Sequence, residues 1–172
     1  LQQMLEHQRC PLAAARSPTR HGVRPVQQLQ RAAQHCAQLL AELGFDATVI
    51  GNHEFDYWPN GLAKTIQAAA DKAGSIPEIL GTNLEFSDSS PDDDALADLM
   101  KTKLLSRTAL IERGGLTFGL VGVIGVAAVE VTTTQGPITF DDPVASARAA
   151  VAALKAEHNP DVIIALSHSG IT

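Results

Sequence analysis

Cysteine is scarce in this chain, long apolar runs are missing, and positive charge is in the minority. Cys10 and Cys36 are the two cysteines, too few for a disulfide framework, and neither has a second Cys or His at zinc-finger spacing. The longest mostly apolar stretch, Leu116 to Val129, is 14 residues with three glycines, short of the roughly 20 that a membrane-spanning helix needs. The start, Leu1-Gln2-Gln3 with Glu6 and His7 close by, has neither the basic nor the apolar region of a signal peptide. Thirteen Lys and Arg against nineteen Asp and Glu leave a formal charge of -6, the wrong sign for a surface that holds a phosphate backbone by counterion release. A nucleic acid polymer is therefore disfavoured as a partner.

What is present suits one folded domain. The 172 residues are 45% hydrophobic and 19% charged, with a mean hydropathy of +0.03, enough apolar mass for a core. Charge is uneven along the chain. Residues 1–31 carry five arginines against Glu6, whereas 32–172 set eight basic residues against eighteen acidic ones. Three prolines and little periodicity between Pro11 and Pro25 mark residues 1–25 as an irregular head. The domain itself is expected over 26–172. A basic head that touches RNA or membrane is weakened by its lack of a stacking aromatic.

From Val26 the periodicity is helical. Val26, Leu29, Ala33, Cys36, Leu40 and Leu43 share one stripe, and Gly44 stands where a cap would end it. Ala47 to Ile50 reads as a short buried strand, a helix follows from about Asn60 to Lys72 closed by Gly74, and Ile79 to Thr82 reads as a second strand. The run Asp92-Asp93-Asp94 lacks EF-hand spacing and is expected to be a solvated turn or helix start. Arg107–Glu112 and Leu116–Ile124 are expected to form a hairpin through Arg113-Gly114-Gly115. Gly119, Gly122 and Gly125 do not form a phosphate loop and suggest close packing. Asp142-Pro143 starts a helix with Val144, Ala147, Val151 and Leu154 on one face, and Val162–Leu166 is a continuous apolar strand. Strands that alternate with helices predict a layered α/β domain with a largely parallel central sheet.

In such sheets ligands gather beyond the carboxyl ends of the strands. Two loops stand out there: Gly51-Asn52-His53-Glu54-Phe55-Asp56 behind the first strand, and Ser167-His168-Ser169-Gly170 behind the last. His53 and Asp56 are spaced so that the carboxylate can orient the imidazole, although two turn residues satisfying local backbone groups would look the same. Taken alone, His168 is more simply a hydrogen-bonded histidine at a strand end. The matching positions of the two loops suggest a shared site.

The block Gly51-Asn52-His53-Glu54-Phe55-Asp56-Tyr57, preceded by Leu43-Gly44-Phe45-Asp46-Ala47, resembles the signature of the 5′-nucleotidase group within the calcineurin-like metallophosphoesterases. The likeness continues in order through Gly81-Thr82-Asn83-Leu84, Phe118 to Val123, Ile138 to Pro143 and Ala165 to Gly170, covering about residues 39–172. The resemblance implies a layered αββα sandwich, here incomplete at both ends, and two divalent cations such as zinc or manganese. It implies Asn52 and His168 as ligands of one metal, and His53, oriented by Asp56, as the catalytic residue facing the phosphoryl group. Glu54 and Phe55 would be structural. A small phosphate ester or nucleotide is the implied partner, and relatives of this group are often periplasmic or extracellular.

The chain also departs from that pattern. The family's opening Asp-x-His-Gly strand end and its bridging Gly-Asp pair have no usable counterpart. Thr19-Arg20-His21-Gly22 is the nearest echo, but threonine cannot replace the carboxylate, and His21 is not assigned as a ligand. The downstream histidine loop is likewise not reached by Thr172. Two ligands do not complete a binuclear site. The expectation is thus metal-dependent hydrolysis of phosphate esters of the 5′-nucleotidase type, with this chain carrying part of the site. The alternative is a noncatalytic fragment or binding module.

Overall fold

A computed structural model describes residues 35–132 and 134–169 of the chain. The expected head and domain boundary near residue 25, and the Val26, Leu29 and Ala33 positions of the first helical stripe, lie outside the described residues. Helix α1 (35–42) ends as its sequence implies, with Gly44 at φ +78, a left-handed turn that glycine adopts without steric cost. The Phe45 N–H then reaches back to the Leu40 carbonyl at 3.0 Å. Leu43 departs from the expected stripe. It is 65% exposed, because it sits past the last helical turn.

Strand β1 (Ala47–Val49) is followed by a 3-10 turn, Asn52–Tyr57, and by helix α2 (Trp58–Ala73). Helix α2 has Pro59 in its first turn, where a missing N–H costs nothing. It buries Leu62, Ala63, Ile66 and Ala69, one stripe at helical spacing, and closes on Gly74 at φ +76. The next elements are β2 (Glu78–Leu80), β3 (Leu84–Glu85), α3 (Asp94–Asp98) and β4 (Leu105–Ser106). The hairpin β5 (Thr108–Arg113) and β6 (Leu116–Ile124) comes after them. Its register sets Arg113 opposite Leu116, so Gly114 and Gly115, at φ +60 and +79, form the two-residue turn with paired positive φ that matches strand twist. Helix α4 (Val126–Glu130), β7 (Thr139–Phe140), α5 (Pro143–Glu157) and β8 (Val162–His168) complete the described chain. Asp142 caps α5 by accepting the Ala145 N–H at 2.7 Å.

The strands do not form the single central sheet that the alternating pattern suggests. They split into a parallel sheet β1-β2-β4 and a mixed sheet β5-β6-β8, with β3 and β7 as a small antiparallel ribbon. The two larger sheets lie face to face, with Leu80, Ala109 and Leu120 buried between them against Ala47, Ile111, Phe118 and Leu166. Helices α2 and α3 cover the outer face of the first sheet through Leu62, Ala63, Ile66, Leu96 and Leu99, packed with Ile50 and Leu105. Helix α5 covers β6, where Leu154 comes against Gly119. The order helix, sheet, sheet, helix is the αββα sandwich.

The glycines of β6 account for how close the layers come. A Cβ at Gly122 would lie 2.4 Å from Leu80 Cβ and 3.3 Å from the Leu80 carbonyl oxygen. One at Gly119 would lie 3.0 Å from Pro160 Cγ on the opposite face. Two other expectations are corrected. Asp94 begins α3, but Asp93 is fully buried rather than solvated, since its Oδ2 accepts the Ser87 N–H at 2.8 Å and folds the loop inward. Val144 on the expected apolar face of α5 is 59% exposed, and Leu154 is the residue of that helix that is buried. The expected apolar strand forms as β8, which among the described residues pairs with β6 alone and is half-buried or exposed.

Trp58 has φ +62 and ψ +161, a region open essentially to glycine alone and costing other residues on the order of 1–3 kcal/mol. Its ring is 55% exposed, so little packing offsets that cost. Trp58→Gly is expected to be more stable than Trp58→Ala by about 1–2 kcal/mol in urea unfolding, since both remove the ring and only glycine relieves the backbone. Equal midpoints would show that no strain is stored there. Gly122→Ala is expected to lose about 1–3 kcal/mol in the same measurement, and an unchanged midpoint would mean the sheets part without cost.

Candidate functional site

The first loop is shaped by what it buries. Ile50, 1% exposed, ends β1 with its N–H on the Leu80 carbonyl at 2.9 Å. Phe55 is fully buried and meets Phe140 edge to face at 5.6 Å between ring centroids, while its carbonyl accepts the Thr134 hydroxyl. Between these anchors the Glu54 carboxylate accepts the Gly51 N–H at 2.9 Å, which tightens the turn. In a 3-10 helix, residues three apart eclipse one another. His53 and Asp56 therefore stand on one side, with Nδ1 and Oδ2 3.1 Å apart.

The second loop is carried by the end of β8. His168 pairs in register with Ile124 at the end of β6, and its carbonyl accepts the Gly125 N–H at 2.9 Å. The ring turns toward the first loop, where Nε2 lies 2.8 Å from Asn52 Oδ1 across 116 residues of sequence. The carbonyl oxygen has no proton to give, so Nε2–H donates. Gly51 makes this approach possible. A Cβ there would fall 2.8 Å from His168 Cε1 and 2.9 Å from Glu54 Oε2. Asn52 and His168 thus meet across the two loops, and His53 stands one residue along the same turn.

The electrostatics differ within the site. The His53 and Asp56 side chains are 73% and 54% exposed, so their contact contributes little to stability, and its effect is to orient. With Nδ1 held by Asp56, Nε2 is the ring nitrogen left for a ligand. Burial first, and the Asp56 charge second, raise the Tyr57 phenol above its ordinary pKa, so it remains a neutral hydroxyl near neutral pH. An apolar cavity of about 440 Å³ lined by Leu43, Phe45, Ile111, Phe118, Ile164 and Leu166 lies toward the opposite ends of these strands and has no part in this cluster.

The donor set fits one edge of a divalent cation's shell. Imidazole nitrogen and amide oxygen are donors that divalent cations such as zinc or manganese accept, and Asn52 Oδ1 and His168 Nε2 face one another at 2.8 Å. Among the described residues no group of three or more His, Cys, Asp or Glu converges. Two roles of neighbouring residues were not legible beforehand: the space that Gly51 must leave vacant, and the place of Asn83, which is quoted above only as part of a motif. A polar residue between Thr82 and Leu84 at the end of an apolar run was the available signal.

No protein-family profile matches the chain. It is similar to the apyrase of Aedes albopictus, 35% identical over 135 residues that cover 78% of this chain and 22% of that protein. It is also similar to the 5′-nucleotidase of Vibrio cholerae, 27% identical over 133 residues, 76% of this chain and 21% of the relative. A crystal structure of a 5′-nucleotidase precursor from Thermus thermophilus superposes with a TM-score of 0.65 at 25% identity, covering 85% of this chain and 25% of that one. The chain spans about a fifth of the length of the relatives it matches. Similarity in sequence and the shared αββα layering together support one reading: over most of its described length the chain is similar to part of a metallophosphoesterase of the 5′-nucleotidase type.

Proposed function

We propose that these residues serve metal-dependent hydrolysis of phosphate esters, with nucleoside 5′-monophosphates as the substrate class and nucleoside and phosphate as products. The observation that carries this reading is the 2.8 Å approach of Asn52 and His168 from loops 116 residues apart, beside an oriented His53–Asp56 pair. Relatives named apyrase and 5′-nucleotidase support the nucleotide class.

In this reading Asn52 and His168 would hold one divalent cation, zinc or manganese, through Oδ1 and Nε2, with the Nε2 proton lost to solvent or moved to Nδ1 on binding. When bound, paired cations neutralise phosphoryl charge and bring a water to hydroxide character near neutral pH. His53 acts on the phosphoryl group itself. Asp56 engages Nδ1 at 3.1 Å, which leaves Nε2 free to hydrogen-bond the phosphoryl oxygens and to hold a proton beside the leaving oxygen. Asp56 thereby fixes both the tautomer and the ring plane. Glu54, engaged with Gly51, shapes the turn and takes no part in proton transfer. A periplasmic or extracellular setting belongs to the same proposal.

The test is hydrolysis of AMP by the full-length protein with added manganese or zinc. Removing a positioned acid–base group typically costs about 10²–10⁴-fold, so His53→Ala is expected to fall by that much, and His53→Ala with His168→Ala to reach background. Full activity in the double variant would overturn the reading. Gly51→Ala is expected to weaken Mn²⁺ binding, followed by calorimetry, by about 10–100-fold, the range seen when ligand orientation is disturbed. Its methyl group would displace the His168 ring. Wild-type affinity in that variant would show that His168 is not a ligand.

A further inference from the structure

Asn52 and His168 belong to different sheets, since Asn52 follows β1 and His168 ends β8. Their separation therefore depends on whatever ties the carboxyl ends of those sheets together. Asn83, 1% exposed, lies just beyond β2 of the first sheet, and its carboxamide is saturated by the second sheet and the loop beside it. Nδ2 donates to the Ile124 carbonyl and to the Asp141 carbonyl, each at 3.0 Å. Oδ1 accepts the Ile124 N–H, also at 3.0 Å. The Asn83 main-chain carbonyl accepts the Asp141 N–H at 2.9 Å. Ile124 is the strand partner of His168, and the next residue, Gly125, donates its N–H to the His168 carbonyl.

We infer that Asn83 is a positioning residue for the metal-holding pair, setting the distance of His168 from Asn52 through the Ile124–Gly125 backbone; the inference rests on the function proposed above for that pair. A carboxamide suits the place because it gives two donors and an acceptor from one short planar group. Aspartate, nearly the same shape, would turn an acceptor toward the Ile124 and Asp141 carbonyls. Leucine would leave the Ile124 N–H and both carbonyls short of a partner, at a cost that falls on those backbone groups. Thr82 is the fitting comparison. It is also buried, and its hydroxyl joins the same sheets by donating to the Arg107 carbonyl and accepting the Gly122 N–H. Gly122 pairs with Leu166, two residues before His168.

The experiment compares Asn83→Asp, Asn83→Leu and Thr82→Val in the full-length protein by three readings: the urea midpoint, Mn²⁺ affinity by calorimetry, and amide exchange of the segment containing Gly125 by mass spectrometry. All three variants are expected to lower the midpoint. The Asn83 variants alone are expected to weaken Mn²⁺ binding about tenfold or more and to speed Gly125 exchange at least tenfold, with Thr82→Val within twofold of wild type in both. If Asn83→Leu does not fold, Asn83→Asp carries the comparison. An Asn83 variant with wild-type affinity and exchange, or a Thr82→Val effect of equal size, would overturn the inference. Should the wild-type protein bind no Mn²⁺, the proposed function fails, and Gly125 exchange by itself decides whether Asn83 holds the end of β8.

Discussion

The contact on which the rest depends is the meeting of two sheets at Gly122, where the missing side chain lets β6 come down on Leu80 of β2. Packed sheets ordinarily stand about 10 Å apart with interdigitated side chains. A residue without a side chain at the crossing brings the two backbones nearer at that point. It does so close to the carboxyl ends of both sheets, so the loops leaving β1 and β8 open onto common ground. Leu80, fully buried, serves both as the middle of the first sheet and as the surface on which the second rests.

Proximity alone would not align two side chains to hydrogen-bonding distance, and the rest comes from anchoring on each side. Phe55 fixes the first loop from below, and the Glu54–Gly51 hydrogen bond fixes its pitch. The second loop has no comparable turn of its own. It inherits its position from β6 through the pairing of Ile124 with His168. The polar cluster at Thr82 and Asn83 lies where those two systems join, and its donors and acceptors are matched, as a buried polar group requires. Asp93 is the contrast within the same molecule. One carboxylate oxygen takes the Ser87 N–H, and the other has no partner among the described residues.

Much of this was legible before any coordinates. The αL caps at Gly44 and Gly74, the aspartate cap of α5 and the two-glycine hairpin are local devices, written in a few neighbouring residues and read with few errors. The pairing of His53 with Asp56 was legible for the same reason. What failed was non-local. Short apolar runs such as Thr48–Val49 and Ile79–Leu80 carry no mark of which sheet they join, so alternation alone suggested one central sheet, and the αββα layering that the structure has came from the family resemblance. Val162–Leu166 forms a strand as its apolar letters imply, yet it is only half-buried or exposed, because position in the sheet, not composition, decides burial. Asp93 escaped for the opposite reason, since three consecutive aspartates suggest solvent until one finds a backbone donor in a folded loop. The approach of His168 to Asn52 came from the likeness of two loops and of the family motif, and spacing along the chain could not have supplied it.

The 116 residues between Asn52 and His168 also impose a schedule on assembly. Contacts between distant parts of a chain form slowly, because the intervening segment must be ordered before they give any return. The N-terminal half can build the β1-β2-β4 sheet and its helices from comparatively near neighbours, but β8 docks only after the hairpin and α5 are in place to receive it. During synthesis the imidazole at the end of β8 leaves the ribosome last among these groups, so the cluster is complete only once β8 has docked against β6.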